Sequence, residues 1–284
     1  MCDVKKEFLK TTISSRVAVV VIGRNEGARL EAGLRAVRGL VSRIIYVDSG
    51  STDNSVAMAR DLGAEVVELD LSIPFTAARA RNAGVRALAS SPPEFVQFID
   101  GDCLLQDEWL PAAVGALDND PRLGAVAGRR REMFPERSIY NRLCDAEWDT
   151  PVGPARAVGG DALLRYSALV QVGGFRDSLI AGEEPEMCVR LRAAGWTIHR
   201  LPDEMTRHDA AMTSFRQWWR RTRRAGFAFA EGASLHGAPP EGHWRVETRR
   251  ALLWGLVLPV LTLLGTLFHP AALLLLAVYP LQVL

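Results

Sequence analysis

An α/β fold is predicted for this chain by three observations. Strand-length segments recur at Val17–Ile22, Ile44–Val47, Glu65–Leu69 and Phe95–Ile99, apolar throughout or nearly so except for the third. Stretches with apolar residues at helical spacing separate them, and polar loops follow the first, second and fourth runs. With 284 residues, 48% hydrophobic and 24% charged, the chain can bury one large core or two modest ones.

After a polar leader, Met1 to Arg16, the run Val17-Ala18-Val19-Val20-Val21-Ile22 is apolar on both faces, which suits a central parallel strand covered by helices. Gly23-Arg24-Asn25-Glu26 turns the chain, and Leu30, Leu34 and Val37 then recur at helical spacing. Ile44–Val47 is the second strand and Asp48-Ser49-Gly50-Ser51-Thr52-Asp53 its loop. Val56, Met58, Ala59 and Leu62 belong to a helix that Gly63 ends, and Asp53 suits its cap. A third strand follows at Glu65–Leu69, then a helix from about Phe75 to Leu88, then the Phe95–Ile99 strand. Beyond Asp102 the alternation weakens into a helix near Trp109 to Leu117, a strand at Leu123 to Arg129 and a loop-rich stretch from Met133 to Val158. Glycines in Gly159-Gly160-Asp161 and Val172-Gly173-Gly174 mark close backbone approaches or sharp turns, as in a pocket wall. Gly182-Glu183-Glu184-Pro185-Glu186 opens a helix that carries Met187, Leu191 and Ala194 inward and stops at Gly195.

Net charge is +1, an average that conceals a surplus of arginine near the C-terminus and therefore says little about partners. Cys2, Cys103, Cys144 and Cys188 lie far apart, with no CxxC pair and no secretory leader before them, and read as reduced thiols of a cytosolic compartment. From Thr213, Trp218, Trp219, Phe227 and Phe229 interleave with Arg216, Arg220, Arg221, Arg223 and Arg224, a pattern for an interfacial helix. Single-stranded nucleic acid could use the same pattern, but the apolar stretch that follows argues against it. Ala251 to Phe268 carries no charge over about 18 residues, and Ala271 to Leu284 continues apolar after His269-Pro270. A membrane span is expected, with a buried core helix as the alternative, and the preceding Arg245, Arg249 and Arg250 favour a cytosolic N-terminal domain.

Ligands of α/β sheets gather at the C-terminal ends of strands, where Asn25, Asp48 and Asp100 fall. In Asp100-Gly101-Asp102 the two carboxylates can converge on one side of extended backbone, and Gly101 leaves that backbone open. Such a pair suits a hard divalent cation, although a strand-ending turn would use the same residues.

Taken together, Arg24-Asn25-Glu26, Val47-Asp48-Ser49-Gly50-Ser51-Thr52-Asp53, Ala80-Arg81-Asn82-Ala83-Gly84, Phe98-Ile99-Asp100-Gly101-Asp102 and Ala181-Gly182-Glu183-Glu184-Pro185-Glu186 carry a family pattern. In their order and spacing the chain resembles a family 2 glycosyltransferase of the GT-A fold, from roughly Val17 to His208. The resemblance implies a catalytic domain over 17–212, with a nucleotide-binding half at 17–103 and an acceptor-side half at 104–212. A basic aromatic amphipathic segment, 213–250, and a membrane-embedded segment, 251–284, would follow. It implies that Asp48, Asn25 and Glu26 hold the base and ribose of a nucleotide-diphosphate sugar, and that Arg81, with Arg79 as the fallback, faces the base or diphosphate. Asp102 would ligate a divalent metal, Mg2+ or Mn2+, with Asp100 nearer ribose and metal and His208 a third metal or diphosphate contact. Glu184 aligns with the general base. The family's usual pair is Glu-Asp, and Glu183-Glu184 lengthens the arm by one methylene, leaving Glu183 as the alternative. The function implied is inverting sugar transfer to a lipid-linked or envelope glycan acceptor at the cytosolic face of the inner membrane; an anionic lipid phosphate as acceptor would need no base. Acceptor choice is expected to lie between about Met133 and Gly174, where Trp148, Asp149 and Asp161 stand without assigned roles. A nucleotidyltransferase is the first alternative, but Gly23-Arg24-Asn25-Glu26 lacks its glycine-rich, lysine-containing loop; a non-catalytic membrane-anchored scaffold is the second.

Overall fold

The computed structural model describes residues 13–281, so most of the polar leader and the last three positions lie outside the described residues. The chain forms two compact units, one ending at Arg221 and the other beginning at Thr222. The first unit is built on a nine-stranded mixed sheet. Its strands are β1 (Val17–Gly23), β2 (Arg43–Asp48), β3 (Glu65–Glu68), β4 (Phe95–Asp100), β5 (Cys103–Leu105), β6 (Leu123–Glu132), β7 (Gly153–Pro154), β8 (Ala162–Arg165) and β9 (Thr197–His208). They lie in the order β3-β2-β1-β4-β8-β6-β9-β5, with β7 beside β9.

The first four strands run parallel, and β1, β2 and β4 have the two-sided apolar composition this suits, while β3 is the exposed edge. Their register decides where the loops meet: Gly23 pairs with Asp48, and Ile22 with Asp100, so the loops after β1, β2 and β4 open at one edge. Helices α1 (Ala28–Val37), α2 (Ser55–Asp61) and α3 (Ala77–Leu88) make the crossovers between them. The packing is close, since a Cβ added at Gly84 of α3 would stand 2.4 Å from Val20 Cγ1 of β1. Helix α3 begins at Ala77 rather than Phe75 because Thr76 caps it, its Oγ1 accepting from Arg79 N at 3.1 Å. In mid-sheet the buried Gln97 is satisfied by Trp109 Nε1, which donates to Oε1 at 2.7 Å from helix α4 (Trp109–Asn119).

Three sequence expectations change. The stretch from Met133 to Val158 is not all loop, because Pro135–Arg137 form a 3₁₀ turn and Ile139–Glu147 a helix, α5. Its periodicity is hidden because Ile139 and Leu143 are exposed, while buried Asn141 anchors it through Nδ2 donating to Glu132 Oε1 at 3.1 Å. The twelve-residue β9 has no apolar run to announce it, and it carries Pro202. Pro202 is accommodated because the register of β6 with β9 shifts between Ala127 and Arg129, an irregularity that frees β9 from regular pairing there. Strand β6 also runs to Glu132, past the expected Arg129, and so adds Arg130 and Glu132 to the sheet. Short helix α6 (Tyr166–Gln171) and α7 (Glu183–Ala193) complete the unit; α7 starts after Gly182 at φ 82° and its end is followed by Gly195 at φ 91°, both left-handed positions that favour glycine.

Helix α8 spans Phe215–His236, and Gln217 Oε1 caps its start by accepting from Thr213 N and Ser214 N at 2.9 and 3.0 Å. In the second unit one continuous helix, Arg245–Thr266, is long and apolar enough to cross a membrane, and it includes the arginines expected to precede the span. Its outer surface is apolar, with Leu256, Leu261 and Leu263 all exposed. His269 breaks the run, and its Nδ1 accepts from Ala271 N at 3.1 Å to open a 3₁₀ stretch at Pro270–Ala277.

Candidate active site

The loops after β1 and β2 are fastened to one another before any ligand arrives. Asn25, at φ 57°, accepts through Oδ1 from Thr52 N at 2.7 Å, while its own N donates to Ser51 Oγ at 2.9 Å. Asp48 is buried and forms an Asx turn: Oδ2 accepts from Gly50 N and Ser51 N at 2.8 Å each, and Oδ1 from Tyr46 Oη at 2.9 Å. Both side chains therefore shape the loops that wall a cleft of about 220 Å³, lined by Arg24, Ser49, Leu69, Phe75 and Arg79 among others. Arg79 does not face solvent freely, because its guanidinium donates to the carbonyls of Ile73, Pro74 and Asp70 and holds that wall. Glu26 turns the other way, toward Gly101, and pairs with Arg29 at 2.6 Å. Burial raises its carboxyl above the usual range, against the opposing charge of Arg29.

Arg81 differs from expectation. It was expected to face the base or diphosphate, but only 4% of its side chain is exposed and its guanidinium is committed to carboxylates. Nη2 meets Asp100 Oδ1 at 2.9 Å; Nη1 meets Glu183 Oε1 at 2.6 Å and Glu184 Oε1 at 3.0 Å. One cation thus joins the acidic tripeptide to the acidic start of α7. The packing leaves no spare room, as a Cβ at Gly160 would lie 2.6 Å from Arg81 Nη2 and 2.9 Å from Asp100 Oδ2. The two glutamates differ: Glu183 is 7% exposed and Glu184 is 14% exposed. Burial raises the Glu184 carboxyl to about 7, opposed by Arg81 and reinforced by Glu183.

Asp100 and Asp102 have separate surroundings. Asp100 lies between Arg81 and Arg130, whose Nη2 is 3.3 Å from Oδ2, and its backbone N donates to Asp161 Oδ1 at 3.0 Å. Asp102 Oδ2 instead lies 3.2 Å from His208 Nε2, brought there because Cys103 pairs with His208 across β5 and β9. Burial opposes ionisation of Asp102, but the hydrogen bond and charge of His208, with Arg130 and Arg29 behind, hold it down at about 2. Burial and Arg130 likewise oppose the His208 imidazolium, yet Asp102 and Glu132 raise its pKa above the ordinary value. Glu132 is buried, with Oε2 3.7 Å from His208 Nδ1, and Trp148 meets the imidazole edge-on at 4.7 Å between centroids.

Asp102, Cys103 and His208 offer donor atoms within 4.8 Å of one another. The Asp102 carboxylate is the donor that suits a manganese or magnesium ion, and the His208 imidazole can join it only when it has lost its proton. Burial pushes the Cys103 thiol well up, so it stays protonated and is the poorest ligand of the three. Sequence reasoning had no role for Arg130, Glu132 or Asp161. Arg130 stacks over Trp148 at 4.9 Å, and Asp161 is buried with Oδ2 accepting from Thr206 Oγ1 at 2.7 Å. Only the glycine pair before Asp161 signalled the crowding there.

The sequence matches the glycosyl transferase family 2 pattern over residues 18–158 and the glycosyl transferase family group 2 pattern over residues 96–284. It is 30% identical over 236 residues to the pre-mycofactocin glycosyltransferase of Mycobacterium tuberculosis, covering 78% of this chain and 48% of that protein. It is 22% identical to the probable glycosyltransferase YdaM of Bacillus subtilis, over 74% of this chain and 54% of the relative. The chain therefore spans about half the length of these curated relatives. Among solved structures, the mannosyltransferase PcManGT of Pyrobaculum calidifontis in complex with GDP-Man and Mn2+ superposes with a TM-score of 0.66 at 25% identity, covering 95% of this chain and 81% of that one. The glucosyl-3-phosphoglycerate synthase of Mycobacterium tuberculosis shares the fold at a TM-score of 0.56 and 23% identity, over 82% and 85% of the two chains.

Proposed function

Because the chain belongs to glycosyltransferase family 2, we propose that it transfers a sugar, with inversion, from a nucleotide-diphosphate sugar to an acceptor hydroxyl on a lipid-linked or envelope glycan at the cytosolic face of a membrane. The single observation that carries this reading is the Arg81 junction, which puts the donor-side carboxylate Asp100 and the candidate bases Glu183 and Glu184 on one guanidinium. A divalent ion would be held by Asp102 and His208, with Asp100 beside them. When bound, such an ion supplies neutralisation of the leaving diphosphate. The nucleotide base would enter the cleft walled by Leu69, Phe75 and Arg79, framed by the loops that Asn25 and Asp48 hold, with Glu26 toward the metal side.

Glu184 is the better base of the pair because it is the less buried and its carboxyl is held near neutrality. It takes the acceptor proton as the hydroxyl oxygen attacks the anomeric carbon opposite the diphosphate. Arg81 keeps that carboxylate oriented. Residues 17–212 form the catalytic domain in this reading, 213–250 an interfacial segment and 251–284 the membrane-embedded segment. Arg245, Arg249 and Arg250 at the start of the apolar helix favour the catalytic domain on the cytosolic side.

The test is a donor panel with the full chain in detergent, manganese and a membrane lipid extract, read as released nucleoside diphosphate. One donor should turn over, and the release should disappear on chelation. No turnover across the panel would favour a non-catalytic scaffold.

A further inference from the structure

On the acceptor side lies a second cleft, of about 400 Å³, whose walls include Trp148, Thr150, Gly160, Arg130 and Arg200. It shares a wall with the catalytic cluster, because Gly160 packs on Arg81 and Asp100 while Arg130 reaches Asp100. The cleft's charges are unevenly satisfied. Its carboxylates are engaged: Glu147 pairs with Arg221 at 2.6 Å, and Asp161 accepts from Asp100 N at 3.0 Å and Thr206 Oγ1 at 2.7 Å. Of its cations, Arg130 is engaged, with Nη2 3.3 Å from Asp100 Oδ2 and Nε 3.6 Å from Asp161 Oδ2, and Arg200 is not. Arg200 is 5% exposed, and its Nε has no hydrogen-bond partner. Nη1 donates to Leu201 O at 2.5 Å, but Nη2 has only Asp149 at 3.7 Å, and that carboxylate is 66% exposed and shared with Arg129 at 3.5 Å.

A buried guanidinium short of acceptors is a costly arrangement unless something else supplies them. Burial pushes the Arg200 cation below its ordinary value, Asp149 offsets this only in part, and the neighbouring Arg129 adds to it. Arginine's planar fork suits the oxygens of a phosphate or carboxylate, and Trp148 offers an aromatic wall beside it.

We infer that this cleft binds the anionic group of the acceptor, a phosphate monoester or phosphate headgroup paired with Arg200, with Arg130, held by carboxylates, standing between it and Asp100. This rests on the transferase reading and narrows its acceptor to one that carries a negative charge close to the sugar-accepting oxygen.

The test is calorimetric titration of the full chain in detergent with glycerol 3-phosphate against glycerol. In parallel, dioctanoyl phosphatidic acid is compared with dioctanoyl phosphatidylcholine in the same micelles. At least one phosphate probe should bind and its neutral counterpart should not; which of them binds separates a soluble from a lipid source. Arg200→Gln should weaken that binding by about tenfold or more, and Arg200→Lys by less, since loss of a charge-assisted hydrogen bond has that effect. Because Arg200 is buried and its variants can misfold, Thr150→Glu provides an independent check: it adds a carboxylate at an exposed position of the cleft and should weaken phosphate binding while leaving donor affinity unchanged. The inference is overturned if neither phosphate probe binds, if glycerol binds as well as glycerol 3-phosphate, or if folded Arg200→Gln and Thr150→Glu keep wild-type affinity. Nucleoside diphosphate release measured alongside separates the two readings: release without phosphate binding overturns only the anion site, and phosphate binding without release from any donor overturns the transferase.

Discussion

Arg81 is the residue on which the site's electrostatics turn, because its guanidinium serves Asp100, Glu183 and Glu184 at once. Arg81→Ala would leave Glu183 and Glu184 without their cation and Asp100 with Arg130 alone, and breaking a buried pair of this kind costs about 3–5 kcal/mol. Urea unfolding of the variant should show a loss of that order, and an unchanged midpoint would refute the junction. Glu184→Gln removes the base but keeps the shape, so transfer should fall by about 100-fold or more while donor affinity stays within about twofold. Full activity in that variant would sink the assignment. The pH dependence has a definite sign. With the Glu184 carboxyl held at about 7, against 4.5 for an ordinary glutamate, the base is protonated at low pH and the rate should climb through about 7 to a plateau. The folded state also keeps the proton that the unfolded chain releases. Glu184 therefore favours folding most at pH values below 4.5, and that contribution falls away as pH rises from 4.5 to 7. A flat rate profile across that range would exclude Glu184 as the base. Asp102→Ala should weaken manganese-dependent donor binding by more than about tenfold, since even outer partners of a metal site are worth that much.

These acids stood out in the sequence through the order and spacing of several motifs, since each alone also suits a turn or a helix start. Arg81 was legible as a site residue but not in its orientation, since one turn of helix decides between facing a ligand and facing Glu183. Asp161 stood in an expected pocket wall without an assigned role and Arg130 was not singled out, because what each meets is set only when β6, β8 and β9 come together.

At the scale of elements, the site depends on how tightly α3 lies on β1. A methyl group at Gly84 would meet Val20 Cγ1 at 2.4 Å and Cγ2 at 3.0 Å, and both partners are buried in regular structure. Gly84→Ala should therefore destabilise the fold by about 1–3 kcal/mol, the usual penalty for overpacking, measurable as a lowered melting temperature. Strand β9 is the element the sequence concealed. Its buried positions include Arg200 and Thr206 beside Ile198 and Met205, so no apolar alternation marks it, and Pro202 argues against a central strand. It forms because β6 offers a parallel partner with an irregular register that tolerates the proline. On its other side β9 pairs with β5, and that pairing delivers His208 to Asp102.

For the molecule as a whole, the membrane association expected from Arg245–Thr266 is open to a direct test. Arginine at the centre of a span costs about 2.5–3.5 kcal/mol per residue, and Leu256 and Leu263 are exposed on the helix. The double variant Leu256→Arg with Leu263→Arg should lose the alkali-resistant membrane fraction that the native chain retains. Equal retention would mean that this helix does not span. The α/β architecture and the parallel β1–β4 half were determined by the sequence alone, because apolar runs covered on both faces and Gly- and Asp-bearing loops have few other solutions. The family pattern was legible for the same reason: its motifs sit at strand ends whose positions the runs dictate. What only the tertiary structure decided is the pairing of charges. Ion pairs between residues far apart in the chain depend on register and helix rotation, to within a hydrogen bond's length, and no local propensity encodes that distance. Asp102 facing His208, Arg81 closed among three acids and Arg200 left short of acceptors all belong to that second kind.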